Sequence, residues 1–272
     1  MSASDFVSAR HNMVEQQIVH RNIRSAAVIK AMRHVPREQF VPRYLRKSAY
    51  DDGPLPISSG QTISQPYIVA LMLEALNLST RDINRQSDFA SRVDPNDQTF
   101  GDNNSNEHCL TVSEEEFGID TENGPRRISN RVSDRQRVLE IGTGSGYAAA
   151  VLAEIAQSVY TIERIRDLAR QARTTLHRLG YSNVRVGYGD GSLGWFSKAP
   201  FDAIVVTAGG PKIPTALKRQ LKIGGRMVIP VGVKRNVQSL IRITRVDEDN
   251  YQTEELADVR FVSLIGSEGW EK

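Results

Sequence analysis

One cysteine, two tryptophans and five histidines in 272 residues leave little room for several kinds of chemistry. The lone thiol, Cys109, excludes intrachain disulfides and cysteine-clustered metal sites. The histidines, at 11, 20, 34, 108 and 177, stand in helical or polar stretches, without the spacing of a triad or a metal pair, so no metal is expected. No run approaches the roughly 20 apolar residues of a membrane span. The opening Met1-Ser-Ala-Ser-Asp-Phe also lacks the apolar stretch of a secretory signal. A net charge of +3, with basic residues scattered along helical faces, is too small to argue for nucleic acid. The expectation is a cytoplasmic protein with neither membrane nor nucleic-acid partners.

What is present reads as three stretches. Val7 to His20 and Ala26 to His34 carry apolar residues at helical spacing, with a boundary at Pro36. A turn-rich segment from Tyr50 to Gly60 leads to Gln61-Thr-Ile-Ser-Gln-Pro, where Pro66 suits the first turn of a helix reaching Leu78. Residues 80–135 are dominated by Asn, Asp, Ser, Arg and Glu. Their twelve acidic and seven basic residues give about −5, leaving about +8 on the rest. So long a stretch without periodicity is expected to be a disordered insertion, with a small accessory subdomain as the alternative. Within it, Asn123-Gly124 is a pair prone to succinimide formation, although a tolerated surface segment is the preferred reading.

From Arg137 onward strand and helix patterns alternate. Strands are expected at Arg137–Ile141, Val159–Ile162, Val184–Tyr188, Ala203–Thr207 and Met227–Val231. Helices are expected at Tyr147–Gln157, Arg164–Leu179 and Pro214–Leu221. Such alternation argues for a parallel sheet with helices on both faces. Two last β-rich runs, Leu240–Val246 and Val259–Leu264, are expected to pair as an antiparallel edge.

Val138-Leu-Glu-Ile-Gly-Thr-Gly-Ser-Gly-Tyr runs a hydrophobic strand into Gly142, Gly144 and Gly146 just ahead of a helix. Glycines there let a ligand lie against bare main chain. Tyr147 stands where a dinucleotide fingerprint needs glycine, and neither the P-loop pattern nor a nucleophile elbow is present. The next strand ends in Glu163, placed to hold two ribose hydroxyls. The third ends in Gly189-Asp190-Gly191, where a carboxylate suits an exocyclic amine such as that of adenine. Singly these are an ordinary turn and ordinary strand ends; together they indicate a nucleoside cofactor without pyrophosphate.

The segment resembles the glycine loop of class I methyltransferases. That resemblance implies S-adenosyl-L-methionine, with Glu140 and the three glycines facing its methionine part, Glu163 its ribose, and Asp190 with Gly191 its adenine. Val35-Pro-Arg-Glu-Gln-Phe-Val, Gly60-Gln-Thr-Ile-Ser-Gln-Pro, Phe201-Asp-Ala-Ile-Val-Val-Thr-Ala and Arg260-Phe-Val are similar to motifs of the protein-L-isoaspartate O-methyltransferases. The similarity covers approximately residues 10–78 and 136–265. It implies a Rossmann-like, mostly parallel α/β sheet with an N-terminal helical, substrate-side segment (1–79), the polar insertion (80–135), and a cofactor-binding core (136–272) that forms one functional domain with the first. It also implies methylation of isoaspartyl carboxylates in damaged proteins, by a monomer. Ser64 matches the family's active-site serine, whereas by itself it reads as a helix-capping hydroxyl. Thr62 and Gln65 on one side, and Val206, Thr207 and Ala208 on the other, are expected to orient the substrate carboxyl, chiefly through main chain. Ser58 stands where the family commonly has glycine, Gly209-Gly210 replace a more Ala- and Pro-rich pair, Ser263 occupies a usual proline position, and the insertion is unusual for the family. Rival readings are a non-catalytic adaptor with the same fold, and a methyltransferase for another carboxylate or a small molecule.

Overall fold

The computed structural model describes residues 2–78, 136–235 and 237–271. The insertion expected to be disordered, with His108, Cys109 and Asn123-Gly124, lies outside the described residues. Helix α1 (Ala3–Met13) opens on a capping box, in which Ser2 Oγ accepts from the Asp5 N–H and the Asp5 carboxylate accepts from the Ser2 N–H. The helical path continues through a π-turn at Val14–Ile18 to Arg21 and stops at Asn22, which adopts φ 67°. Ser25 caps α2 (Ala26–His34), and Val35-Pro36 ends it. A short antiparallel pair, β1 (Leu55–Pro56) with β2 (Thr62–Ile63), brings the chain to α3 (Pro66–Ala75), with Pro66 in its first turn.

The rest is β3 (Arg137–Ile141), α4 (Tyr147–Ala153), β4 (Ser158–Glu163), α5 (Arg166–Arg178), β5 (Val184–Tyr188), β6 (Phe201–Val206), α6 (Thr215–Gln220), β7 (Leu221–Lys234), β8 (Val237–Arg245) and β9 (Tyr251–Val259). The sheet order is β5-β4-β3-β6-β7-β8-β9. The first five strands are parallel, β8 pairs antiparallel with β7, and β9 pairs antiparallel with β8. The Rossmann-like, mostly parallel sheet is thus present.

Period-two alternation sorts the central strands into two cores. Val138, Ala203 and Val205 pack with α2, α3 and α4, whereas Leu139, Ile141, Ile204 and Val206 pack on the opposite face with Leu217 and Phe201. Residues from both sides of the insertion, such as Met32, Leu73, Val138 and Leu152, share one apolar cluster. The chain reverses direction across the sheet between β3 and β6, which is where open α/β sheets bind ligands, at the carboxyl ends of their strands.

One expected strand is corrected. The antiparallel edge is Tyr251–Val259, not Val259–Leu264. Along this edge most side chains are polar and exposed, so no apolar run marks the strand. The apolar Phe261-Val262 and Leu264 instead leave the sheet and pair with Gly209.

Candidate active site

The carboxyl ends of β3, β4 and β6 and the β2–α3 turn open onto one cleft of about 930 Å³, counting its mouth. Its floor is the glycine loop. Gly142 holds φ 96°, and a Cβ there would lie 2.5 Å from Thr207 Oγ1, so no other residue fits beneath the β6 end. Gly144 also faces the cleft. Gly146, at φ 91°, turns away from it and packs against Leu176 as α4 begins.

Glu163 clamps this loop. Its Oε2 accepts from the Gly144 N–H at 2.9 Å and its Oε1 from the Ile165 N–H at 2.9 Å, leaving further lone pairs toward the cleft that it lines. Glu140 sits in the central strand with 0 % exposure. Thr161 donates to its Oε2 at 2.5 Å and in turn meets Thr143 Oγ1 at 2.6 Å, while Oε1 has no partner among the described residues. Burial pushes the Glu140 pKa up to about 8; the Thr161 hydrogen bond opposes this and the nearby Glu163 charge adds to it.

Asp190 closes the β5 side. Its Oδ1 accepts from Ser192 N and Oγ (2.9 and 2.7 Å), and its Oδ2 accepts from the Ser267 N–H at 2.7 Å. Burial alone would raise its pKa, but these donors outweigh it and hold the carboxyl below its usual value. Gly191 lines the cleft; the Asp190 side chain is turned into this cap instead.

Thr62 and Ser64 also line the cleft, as do Thr207 and Ala208. Ser64 caps nothing: α3 starts from Gln65 without any side-chain capping bond. Its carbonyl accepts from Arg37 Nη2 at 2.8 Å. The Gln65 side chain reaches away to Asp52 Oδ1 and Val206 packs into the core, so neither of these two expected residues lines the cleft.

Apart from Ser263, several residues in or behind the cleft were not singled out from the sequence. Thr143 and Thr161 form the hydroxyl chain to Glu140. Tyr147 lines the wall, Arg164 lies at the mouth, and Val262 to Ile265 form the side beneath Gly209. Only the Arg260-Phe-Val motif pointed toward the last of these. None of the four described histidines lines the cleft; His34 pairs with Glu154 elsewhere. Among the described residues no cluster of His, Cys, Asp and Glu suits a metal ion, and no helix is long and apolar enough to cross a membrane.

A family model for protein-L-isoaspartate(D-aspartate) O-methyltransferase matches residues 8–84 and 129–269. The chain is 48% identical over 261 residues to protein-L-isoaspartate O-methyltransferase 2 of Pelobacter propionicus, spanning 96% of this chain and 92% of that one. It is 48% identical over 268 residues to protein-L-isoaspartate O-methyltransferase 1 of Rhodopseudomonas palustris, spanning 98% and 87%. These relatives are of comparable length, so the extra length around residues 85–128 is shared by them although the family model leaves it out. A solved protein-L-isoaspartate O-methyltransferase superposes with a TM-score of 0.69 at 25% identity, over 96% of this chain and 67% of the other. A Plasmodium falciparum structure assigned to the same enzyme class, solved in complex with S-adenosyl-L-homocysteine, superposes with 0.65 at 21% identity, over 94% and 98%, and shows the shared fold.

Proposed function

Because the chain belongs to the protein-L-isoaspartate(D-aspartate) O-methyltransferase family, whose members use S-adenosyl-L-methionine to methylate isoaspartyl carboxylates of damaged proteins, we propose that the cleft between the glycine loop and the Ser64 turn is where this protein does so. The residues present fit the cofactor. Gly142 and Gly144 line the cleft without side chains, Glu163 offers acceptors beside the loop, and the Oε1 of Glu140, without a partner among the described residues, suits an ammonium group. Glu140, Gly142, Gly144, Glu163 and Gly191 would hold it directly. Gly146 would act through the start of α4, and Asp190 through the cap that shapes the β5 side. When bound, the cofactor supplies an electrophilic methyl group on a sulfonium.

A substrate carboxyl with a pKa near 4 is ionised at neutral pH, so its oxygen attacks without a general base. The protein's task is then placement, in which holding the two reacting atoms in line at close approach supplies most of the acceleration. Ser64 Oγ would donate to one carboxylate oxygen and leave the other free to attack. Main chain around Thr62–Gln65 and Val206–Ala208 would hold the flanking peptide. The observation that carries this reading is that Ser64 lines the same cleft as the glycine loop and caps no helix. We also infer that residues 1–79 form the substrate side and 136–272 the cofactor side of one functional domain, a division supported by their common apolar cluster. The protein would act as a cytoplasmic monomer without nucleic acid, and sedimentation of the ligand-free chain tests the monomeric state.

Labelled methyl transfer to matched peptides tests the function. The expected result is transfer to the isoaspartyl peptide, little to the aspartyl one, and none to a peptide with neither. Equal labelling of the first two would point to another carboxylate as the substrate.

A further inference from the structure

Arg37 is a cation with 0 % exposure and no acidic partner within ion-pair distance among the described residues. It lies in the single turn Arg37–Gln39 after Pro36. Its Nε donates to the Ala49 carbonyl at 2.7 Å and its Nη2 to the Ser64 carbonyl at 2.8 Å; Nη1 is buried without an acceptor among the described residues. The guanidinium lies over the Tyr147 ring, 4.8 Å from its centroid, and that ring forms part of the cleft wall. Its acidic neighbour in sequence, Glu38, accepts from Tyr50 Oη instead.

Burying an uncompensated charge is costly, and a methionine would fill the same volume without that cost. A neutral side chain could also hold one carbonyl. What only arginine offers here is a rigid fork that grips two carbonyls while stacked on an aromatic face, together with a permanent charge. Ser64 is one of those two attachments. The cleft beside it must admit an anion although Glu140 and Glu163 already line it. In a poorly solvated interior a fixed cation one residue from the anion's seat acts far more strongly than it would in water.

We propose that Arg37 is a positioning residue for methyl transfer: by gripping the Ser64 carbonyl it sets the direction of the Ser64 hydroxyl, and its unpaired charge draws the substrate carboxylate to that hydroxyl. The proposal rests on the reading of Ser64 given above.

The test combines Ser64→Ala, Arg37→Lys, Arg37→Gln and the double variant Ser64→Ala/Arg37→Lys. Steady-state kinetics would use an isoaspartyl peptide, with calorimetric binding of S-adenosyl-L-homocysteine alongside. Arg37→Lys keeps the charge and loses the fork, so kcat falls about 10-fold while the peptide KM stays near wild type. Arg37→Gln loses the charge as well, so KM also rises and kcat/KM falls on the order of 100-fold. S-adenosyl-L-homocysteine affinity stays within about 3-fold in each. In the Ser64→Ala background Arg37→Lys costs less than about 3-fold more, because its effect runs through the missing hydroxyl. Arg37→Lys and its double variant decide the matter by themselves if Arg37→Gln does not fold. Additive losses in the double variant, or a loss of S-adenosyl-L-homocysteine affinity in step with kcat in Arg37→Lys, would make Arg37 a general structural residue and overturn the proposal. Wild-type rates in Ser64→Ala would overturn the reading of Ser64 itself, whereas a slow Ser64→Ala beside wild-type Arg37 variants would overturn only the role of Arg37.

Discussion

Glu140→Gln in the ligand-free protein should be more stable than wild type at alkaline pH and equal to it in acid. The Glu140 carboxyl is fully buried in β3, and its pKa of about 8 compares with about 4.5 for an exposed glutamate. Since the folded value lies above the unfolded one, between those two pH values the folded chain retains a proton that the unfolded chain has released. The contribution to stability is therefore complete below pH 4.5, declines as pH rises, and levels off above about 8. At about 1.4 kcal/mol per pH unit the whole span corresponds to about 5 kcal/mol, of which about 3 kcal/mol has been lost by pH 7. Glutamine keeps the shape and an acceptor for the Thr161 hydroxyl but does not titrate in this range. Other carboxylates bend the absolute curves, so the informative quantity is the difference between the two proteins.

Urea unfolding of both proteins from pH 5.5 to 8.5 reads that difference. The variant should gain on the order of 3 kcal/mol over wild type across this span, roughly 10 °C in melting temperature for a chain of this size. Parallel curves would show that Glu140 is ionised in the folded state, and the account of its burial would fail. The same group links binding to protons. An ammonium group brought to Oε1 favours the carboxylate, so wild type should release a proton on binding S-adenosyl-L-homocysteine at pH 7 and Glu140→Gln should not. Calorimetry in buffers of different ionisation enthalpy measures this directly.

Glu163→Ala removes both the Gly144 clamp and the proposed ribose acceptor, so S-adenosyl-L-homocysteine binding should weaken by about 1–3 kcal/mol; unchanged affinity in a folded variant would take Glu163 out of the site. Gly209→Ala would put a Cβ 2.9 Å from Gln238 Cδ, inside a contact where the amide is already bonded at both ends, and should cost about 1–3 kcal/mol in urea unfolding. A neutral result there would mean that Gln238 is free to move. Leu78 and Gln136, at the two edges of the undescribed stretch, line a common shallow recess, so a Gly-Ser linker of about ten residues should replace residues 79–135 with little change in S-adenosyl-L-homocysteine affinity. Loss of that affinity would show that the stretch supports the cofactor side.

Where burial follows periodicity, the sequence was readable nearly to the residue. The ranges expected for α2, β3 and β5 match those observed, because each is bounded by a proline or a glycine-rich turn and has its own period. The glycine loop was readable because tight turns and close approach restrict residue type. The edge strand was missed because an exposed antiparallel edge needs no apolar face, and Tyr-Gln-Thr-Glu-Glu looks like a loop until its partner is known. Arg37 was missed for a different reason. It stands in the Val35-Pro-Arg-Glu-Gln-Phe-Val motif, but only three-dimensional proximity shows that its partners are the carbonyls of Ala49 and Ser64. Thr143 and Thr161 are eighteen positions apart and meet only because β3 and β4 lie side by side.

Three of the four positions expected from the sequence to depart from the family pattern lie in one region of the fold. Gly209, Gly210 and Ser263 are not scattered: Gly209 bridges to Ser263, and Gly210 bridges to Val231 on β7. The Gly209 bridge uses its own N–H to the Val262 carbonyl at 2.7 Å and the Leu264 N–H to its carbonyl at 2.8 Å, so the Ser263 N–H takes no part. A proline at 263 would therefore cost neither bond, and serine there costs neither in return. At Gly209 the absence of a side chain matters, because the space over its Cα is filled by Gln238, which is 1 % exposed. That amide donates to the Arg235 carbonyl at 2.6 Å and accepts from the Phe261 N–H at 2.9 Å, tying the β7–β8 connection to the start of the segment that walls the cleft. Trp270 Nε1 adds a third hold on Gly209, at 3.0 Å from its carbonyl. The missing side chain at 209 is thus replaced by a buried amide that fastens Phe261 directly, and the wall from Val262 to Ile265 keeps its place beside the cofactor loop.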